Sequence, residues 1–463
     1  MNASYTENKK YFFMLYKKKY IFNLIFSFTL VPLSFGWTGN GTEESPWILP
    51  NSYGNNAKYH LNIDGYYKAS YANTLSTGTG EYTMLSGVSF WNRGENYEGK
   101  SATVFDNDAS KFTVKGRLDT SSSSDDFTMY IDAGVLLAFI GSHSSNAGIK
   151  TEANTVIDGI SHFFDYAVVT VARRNLTLNG TFSFWSDSTE NGMIVESNGN
   201  FINNGTITFQ RGSYLNIVGT LENNGSIIFT RDTSTYVRGN FKSQNDLSLY
   251  NLYLSSNGVI DHYGGGELRI NQTSKIYGKL NVTGNLVLQD NTYIYSNPVV
   301  FEASMPDSAL ILQDSNLDLR QSGNNSFKNS QDNNVRLVSI EDSSNKIILG
   351  NNTQTFSELL INNSTLTIEL SDPLAKFIVS GEVNGINDYR IVIVNFSEDS
   401  IFFGNIGDNF DLGCISALDS YGNDLGKLHS VNGWLTLIPE PSIYAFAMGF
   451  LTFGFAILKR RFI

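Results

Sequence analysis

The sequence predicts an all-β fold: a parallel β-solenoid, wound as a right-handed β-helix, with coils of about 20 residues. Three observations predict it. A Gly-x-apolar motif recurs at Gly180, Gly199, Gly219, Gly239, Gly258 and Gly278, with spacings of 19, 20, 20, 19 and 20 residues. Apolar residues alternate inside each recurrence, as at Ile207 and Phe209 or Leu247 and Leu249, and a period of two is that of a strand with one face covered. No stretch of the body shows the i, i+3, i+4, i+7 pattern of a helix.

The 463 residues suffice for two or three ordinary domains or for one extended repeat array. A net charge of −12 argues against a nucleic-acid partner, which requires a basic face. Charged residues make up only 16 %, so the surface relies on neutral polar groups and turn formers. The single cysteine, Cys414, excludes an intrachain disulfide and a Cys-rich zinc site, and its flanks Leu412, Gly413 and Ile415 suggest a small buried residue in a strand.

Residues 1–36 have the order of a secretory signal peptide. Lys9, Lys10, Lys17, Lys18 and Lys19 precede the apolar run from Tyr20 to Phe35, and Ser34 and Gly36 supply small residues for cleavage after Gly36. The alternative is a permanent N-terminal anchor. In both cases the chain engages the general secretion machinery, and everything from Trp37 onward is exported.

Residues 37–170 are expected to form an N-terminal cap and irregular coils, with a separate β-sandwich as the alternative. Residues 171–437 hold the regular repeats. Phe201 to Phe209 and Leu221 to Phe229 are nearly copies, each containing Asn-Asn-Gly, a tripeptide expected to supply left-handed backbone at a tight bend. Leu310, Leu312, Leu317, Leu319, Leu359, Ile361, Leu366 and Ile368 continue the alternation. Stacking at the strand spacing would give on the order of 20 coils and a rod of roughly 90–100 Å.

Candidate chemistry is sparse. His60, His143, His162, His262 and His429 include no pair at metal-ligand spacing, and each is expected in a loop or at the surface. No cofactor or metal is expected, and Gly264-Gly265-Gly266 carries no phosphate-binding signal. The carboxylates tested against a catalytic role are Asp318 with Arg320 on one strand face, Asp106 with Asp108, and Asp125 with Asp126. The Asn-x-Ser/Thr triplets at Asn175, Asn179, Asn204, Asn224, Asn271, Asn281, Asn351 and Asn395 are best explained by bend chemistry, with stacked Asn ladders along the coils.

Residues 438–463 form the last unit. Pro439, Glu440, Pro441 and Ser442 precede an apolar run from 443 to 458 and a basic end at 459–463. As a helix the run spans roughly 24 Å, close to the ~30 Å hydrocarbon core. Lys459, Arg460 and Arg461 would stay cytoplasmic, leaving the body outside.

This tail resembles the PEP-CTERM sorting signal of Gram-negative bacteria, and Asn432 to Ile438 resembles the strand that precedes such signals. The resemblance implies an exosortase as partner, acting at Pro439 to Ser442 with Glu440 as a recognition residue. It also implies an inner-membrane precursor that matures to the envelope or extracellular matrix, and an association with biofilm polysaccharide. Gly39 to Ile48 resembles the entry segment of exported bacterial β-helices. The functional expectation is a non-enzymatic structural or adhesive solenoid. The alternative is a secreted polysaccharide-active lyase or hydrolase.

Overall fold

The computed structural model describes residues 148–438, apart from 165, 186–190, 296–298 and 302–307, together with Thr42, the backbone of strands between Trp47 and Ile140, and the side chains of Leu137, Ala138 and Phe139. Residues 1–36, expected to form a signal peptide with Ser34 and Gly36 at its cleavage site, and all residues from Pro439 to Ile463 lie outside that set. So do Asp106, Asp108, Asp125, Asp126 and His143, and the side chain of His60.

The body is a parallel β-solenoid of about 12 turns. Each turn contributes a strand to three columns. Gly148–Thr151, Asn154–Ile157 and Ile160–Phe164 make one turn, and each pairs in parallel with its successor one turn on. Strands between Trp47 and Ile140 also pair in parallel, for example Trp47 with Tyr67 and Leu136 with Ile160. The expected ~20-residue period holds only in the middle: Asn203 and Asn223 are partners 20 apart, whereas Ser315 and Asn345 are 30 apart. Extra residues enter at register shifts such as Leu312/Asn316 and Ile340/Ser343. Longer coils mean fewer turns than a uniform 20-residue period gives.

The alternation predicted from the sequence places the core. Ile207, Phe209, Leu247, Leu249, Leu310, Leu312, Leu359 and Ile361 are all buried. In the third column Phe139, Phe163, Phe184, Phe209 and Phe229 stack ring on ring at 5.1, 4.7, 4.8 and 4.9 Å. These distances equal the strand spacing, so one ring per turn fills the column without a gap.

The first two corners share one requirement and the third has another. At the first, between columns one and two, Gly199, Gly219, Gly239, Gly258 and Gly278 follow one another. A Cβ on Gly239 would collide with the carbonyl oxygens of Gly219 and Val218, and one on Gly278 with that of Gly258. At the second corner Gly180, Gly205 and Gly225 are constrained in the same way. The Asn-Asn-Gly bends are therefore not left-handed, contrary to expectation: neither Asn203, Asn204 and Gly205 nor Asn223, Asn224 and Gly225 has positive φ. Glycine is needed because backbone of the preceding coil occupies the space of a side chain. Left-handed residues sit at the third corner instead: Asn251, Gln272, Asp290 and Asp314, at φ between 46° and 62°. Asn and Asp tolerate this region best, and the Asn251 amide donates to Gln272 Oε1 at 2.7 Å.

Two Asn ladders tie coils together. Outside, the amides of Asn179, Asn204 and Asn224 each donate one coil back, to Asp158, Asn179 and Asn204, at 2.7, 2.9 and 3.2 Å. Inside, Asn203 donates to Asn223 and Asn223 to Ser243 Oγ, at 2.6 and 3.1 Å, all three fully buried. Asn271 is also buried.

His262 follows Ser243 in this internal column. It is not the surface residue the sequence suggested: it is fully buried, with Nε2 3.1 Å from the Asn245 carbonyl and Nδ1 without a partner. Burial lowers its pKa, outweighing the Asn245 backbone bond and the charges of Asp246 and Asp261. As pH falls, the unfolded chain therefore takes up this proton before the folded one does. The His262 contribution to stability is expected to be constant above pH ~6.5 and to drop below it by about 1.4 kcal/mol per unit, until the folded imidazole protonates. Urea titrations at pH 7.5 and 5 check this: His262→Asn, which continues the amide column, should narrow the difference between the two midpoints.

The C-terminal end changes pairing. Leu428–Val431 and Trp434–Leu437 form an antiparallel hairpin, and Trp434 pairs in antiparallel fashion with Phe402 of the last strand in its column. The two rings meet edge to face at 5.1 Å, and Lys376 Nζ lies 5.3 Å from the Trp434 ring. Cys414 is half-buried in a 3-10 turn, Leu412–Cys414, not in a strand. The Asp411 carboxylate accepts from Gly413 N at 2.8 Å and starts the turn there.

Candidate functional site

The outward face of column one gathers the side chains with most potential for recognition. Successive coils place Tyr236, Tyr253, Lys275, Tyr293 and Asp318 in one row. Two residues further along each strand, the parallel row runs Arg238, Ser255, Tyr277, Tyr295, Arg320. Strand alternation puts both rows outside because Val237, Leu254, Ile276, Ile294 and Leu319 between them are buried.

The tyrosines interact along the coil axis. Tyr277 and Tyr295 stack at 4.0 Å with rings 10° from parallel, and Tyr253 lies 5.6 Å from Tyr277 at a tilt. A hydrogen bond to Tyr277, which holds the phenol proton, then burial, pushes the Tyr295 phenol up to about 12. It stays protonated at neutral pH.

At the C-terminal side of the face, Arg320 grips Asp318 with both ends of its guanidinium: Nη2 to Oδ2 at 2.6 Å and Nε to both oxygens at 3.1 Å. Asp318 also accepts from the Arg320 backbone N at 3.0 Å. Burial pushes its carboxyl up, but the Arg320 bonds and charge, with Lys346, hold it below the usual value. Lys346 in turn pairs with Glu369 at 2.6 Å. The sequence placed Asp318 and Arg320 on one face, and the structure brings them together. Their pairing neutralises the carboxylate instead of leaving it as a base.

A second feature is a shallow groove at the second corner, lined among others by Asn204, Gly225, Gln244, Asn245, Asp246 and Gly266. It opens where the strand ladder of column three is interrupted between Ser226–Phe229 and Leu247–Tyr250. Asn245 bridges the break, donating to the Asn224 and Gly225 carbonyls at 3.2 and 2.7 Å. The Tyr263 hydroxyl donates to Asn224 Oδ1 at 3.1 Å. Gly264 and Gly266 belong to this corner, where a Cβ would meet Gln244 and Asp246.

Among the described residues, no three His, Cys, Asp or Glu side chains are placed to hold a metal ion, and no helix is long and apolar enough to cross a membrane. Pro439, Glu440, Pro441, Ser442, Lys459, Arg460 and Arg461, expected from the sequence to act in sorting, are not among them. The tyrosine face was missed from sequence because its members are 17 to 25 residues apart at uneven intervals. Only the coil register aligns them. No protein-family model matches the chain, no curated protein matches it in sequence, and no solved structure matches its fold.

Proposed function

We propose that this chain is an exported bacterial surface or extracellular-matrix protein whose body is a structural or adhesive β-solenoid. One observation carries the reading: outward polar side chains are largely committed to bonding coil to coil. The Asn179–Asn204–Asn224 ladder, the Tyr253–Tyr277–Tyr295 stack and the Lys346–Glu369 ion pair all brace the array along its axis. Such an array is a scaffold, and its repeated face suits contact with a repeating partner such as extracellular polysaccharide. The coils are right-handed, following the rule for parallel crossovers.

Delivery rests on the two ends of the sequence. Residues 1–36 direct secretion, and the run 443–458 with Lys459, Arg460 and Arg461 holds the precursor in the inner membrane. An exosortase then cuts near Pro439 to Ser442, two residues after the terminal strand Trp434–Leu437 ends. Intact-mass measurement of the mature protein tests this. The expected product begins at Trp37 and lacks Lys459 to Ile463; a product that retains those five residues would sink the sorting scheme. The alternative, a polysaccharide-active enzyme, has its best support in the Asp318, Arg320 and Tyr295 cluster. Turnover of a glycan by purified 37–438 at enzymatic rates would establish it and displace the structural reading.

A further inference from the structure

The tyrosine face has a charge pattern that differs from the rest of an acidic chain. Counting coils along it, Arg238 lies in one coil, Lys275 two coils on, and Arg320 two coils beyond that. Two cations, Arg238 and Lys275, therefore stand two coils and about 10 Å apart along the axis, with the guanidinium of the Arg320–Asp318 pair a further two coils on. Arg238 and Lys275 are exposed, and among the described residues neither makes an ion pair. The carboxylate on the face, Asp318, is only about a tenth exposed and already held by Arg320, whose own side chain remains half-exposed. Between the cations stand Tyr236 and Tyr253, each more than a third exposed, with Tyr277, Tyr293 and Tyr295. Because Tyr277 and Tyr295 cover each other's ring faces, they offer a ligand their edges and hydroxyls rather than a stacking platform.

We propose that this face is the docking surface for an extended polyanion, an acidic polysaccharide lying parallel to the coil axis. The inference rests on the adhesive reading above and names its partner class. A rigid array repeating every ~4.8 Å presents cations at a fixed interval, and a polymer bearing carboxylates at regular intervals can engage several at once. Phenol hydroxyls between the cations donate to and accept from sugar hydroxyls. Each contact alone is weak at an exposed site, and repetition along the axis supplies the affinity. The net charge of −12 would repel such a polymer elsewhere, so the face also selects the side of approach. A second copy of this acidic chain is the competing occupant.

The test is affinity electrophoresis of the full chain in detergent micelles through gels containing sodium polygalacturonate or neutral dextran. Retardation by polygalacturonate alone is expected, weakening as sodium chloride rises. The double variant Arg238→Glu/Lys275→Glu should weaken it at least about tenfold. The variant Lys242→Glu/Lys279→Glu makes the same charge change at exposed positions of column two and should leave retardation unchanged. Tyr253→Ala should lower it without altering the salt dependence. Equal losses in both double variants would overturn the proposal in favour of a net-charge effect, and equal retardation by dextran would overturn the charge requirement. A dimer that dissociates on Arg238→Glu/Lys275→Glu, with no binding of polygalacturonate, would assign the face to self-association. Failure of binding leaves the intact-mass result standing, so the two readings fail separately.

Discussion

A Gly239→Val chain is expected to lose at least about 4 kcal/mol of stability, or to fail to form its central coils, because its Cβ meets the backbone of the preceding coil. The carbonyl oxygens of Gly219 and Val218 lie where the Cβ would be, and neither can move without breaking the ladder Thr220–Asn223 makes with Asn240–Ser243. Even alanine carries the offending atom. Since Gly199, Gly219, Gly239, Gly258 and Gly278 share one corner, the displacement passes to coils on either side. Gly323→Ala is the control: nothing lies within 4 Å of its Cβ position, and its effect should stay within about 1 kcal/mol. Urea unfolding with limited proteolysis compares the two, and cleavage near residues 219–258 should appear only in Gly239→Val.

The second large effect concerns the phenylalanine column. Phe209 is fully buried, with Phe184 at 4.8 Å on one face and Phe229 at 4.9 Å on the other. Phe209→Ala removes a ring from the middle of a continuous stack and leaves a gap the backbone ladders keep from closing. The expected cost is about 3–5 kcal/mol, some of it from the two lost ring contacts at roughly 0.5–1.5 kcal/mol each. Phe209→Leu should cost clearly less, because it keeps most of the volume. Equal unfolding midpoints for the alanine variant and the parent would show that the column tolerates a void, contrary to its packing.

Much of this architecture was legible in the sequence, for reasons that particular residues make plain. Ile207 and Phe209 alternate because a strand has two faces, and the glycines recur because each coil repeats the same corner. What was not legible depends on coil-to-coil register. The sequence marks Asn203, Asn204 and Gly205 as a bend but cannot say that stacked carbonyls, not a left-handed φ, demand the glycine. His262 looks like a surface residue until alignment with Asn223 and Ser243 puts it inside. Tyr236, Tyr253, Tyr277 and Tyr295 become one face only when the lengths of the intervening loops are known. Asp318 and Arg320 were visible as a pair because both lie in one strand turn. The two ends of the chain, by contrast, speak through order of composition: basic, apolar and small at one, proline-rich, apolar and basic at the other.

The hairpin of Leu428–Val431 and Trp434–Leu437 has a further consequence. A parallel stack has no intrinsic length: every finished coil is a template for another, from its own chain or a neighbour's. By reversing strand direction against Phe402 and sealing the edge with Trp434, the chain sets its own terminus and makes the array a counted object instead of the seed of a filament. Since the hairpin lies upstream of Pro439, a cut at the proline segment would leave this stop with the body.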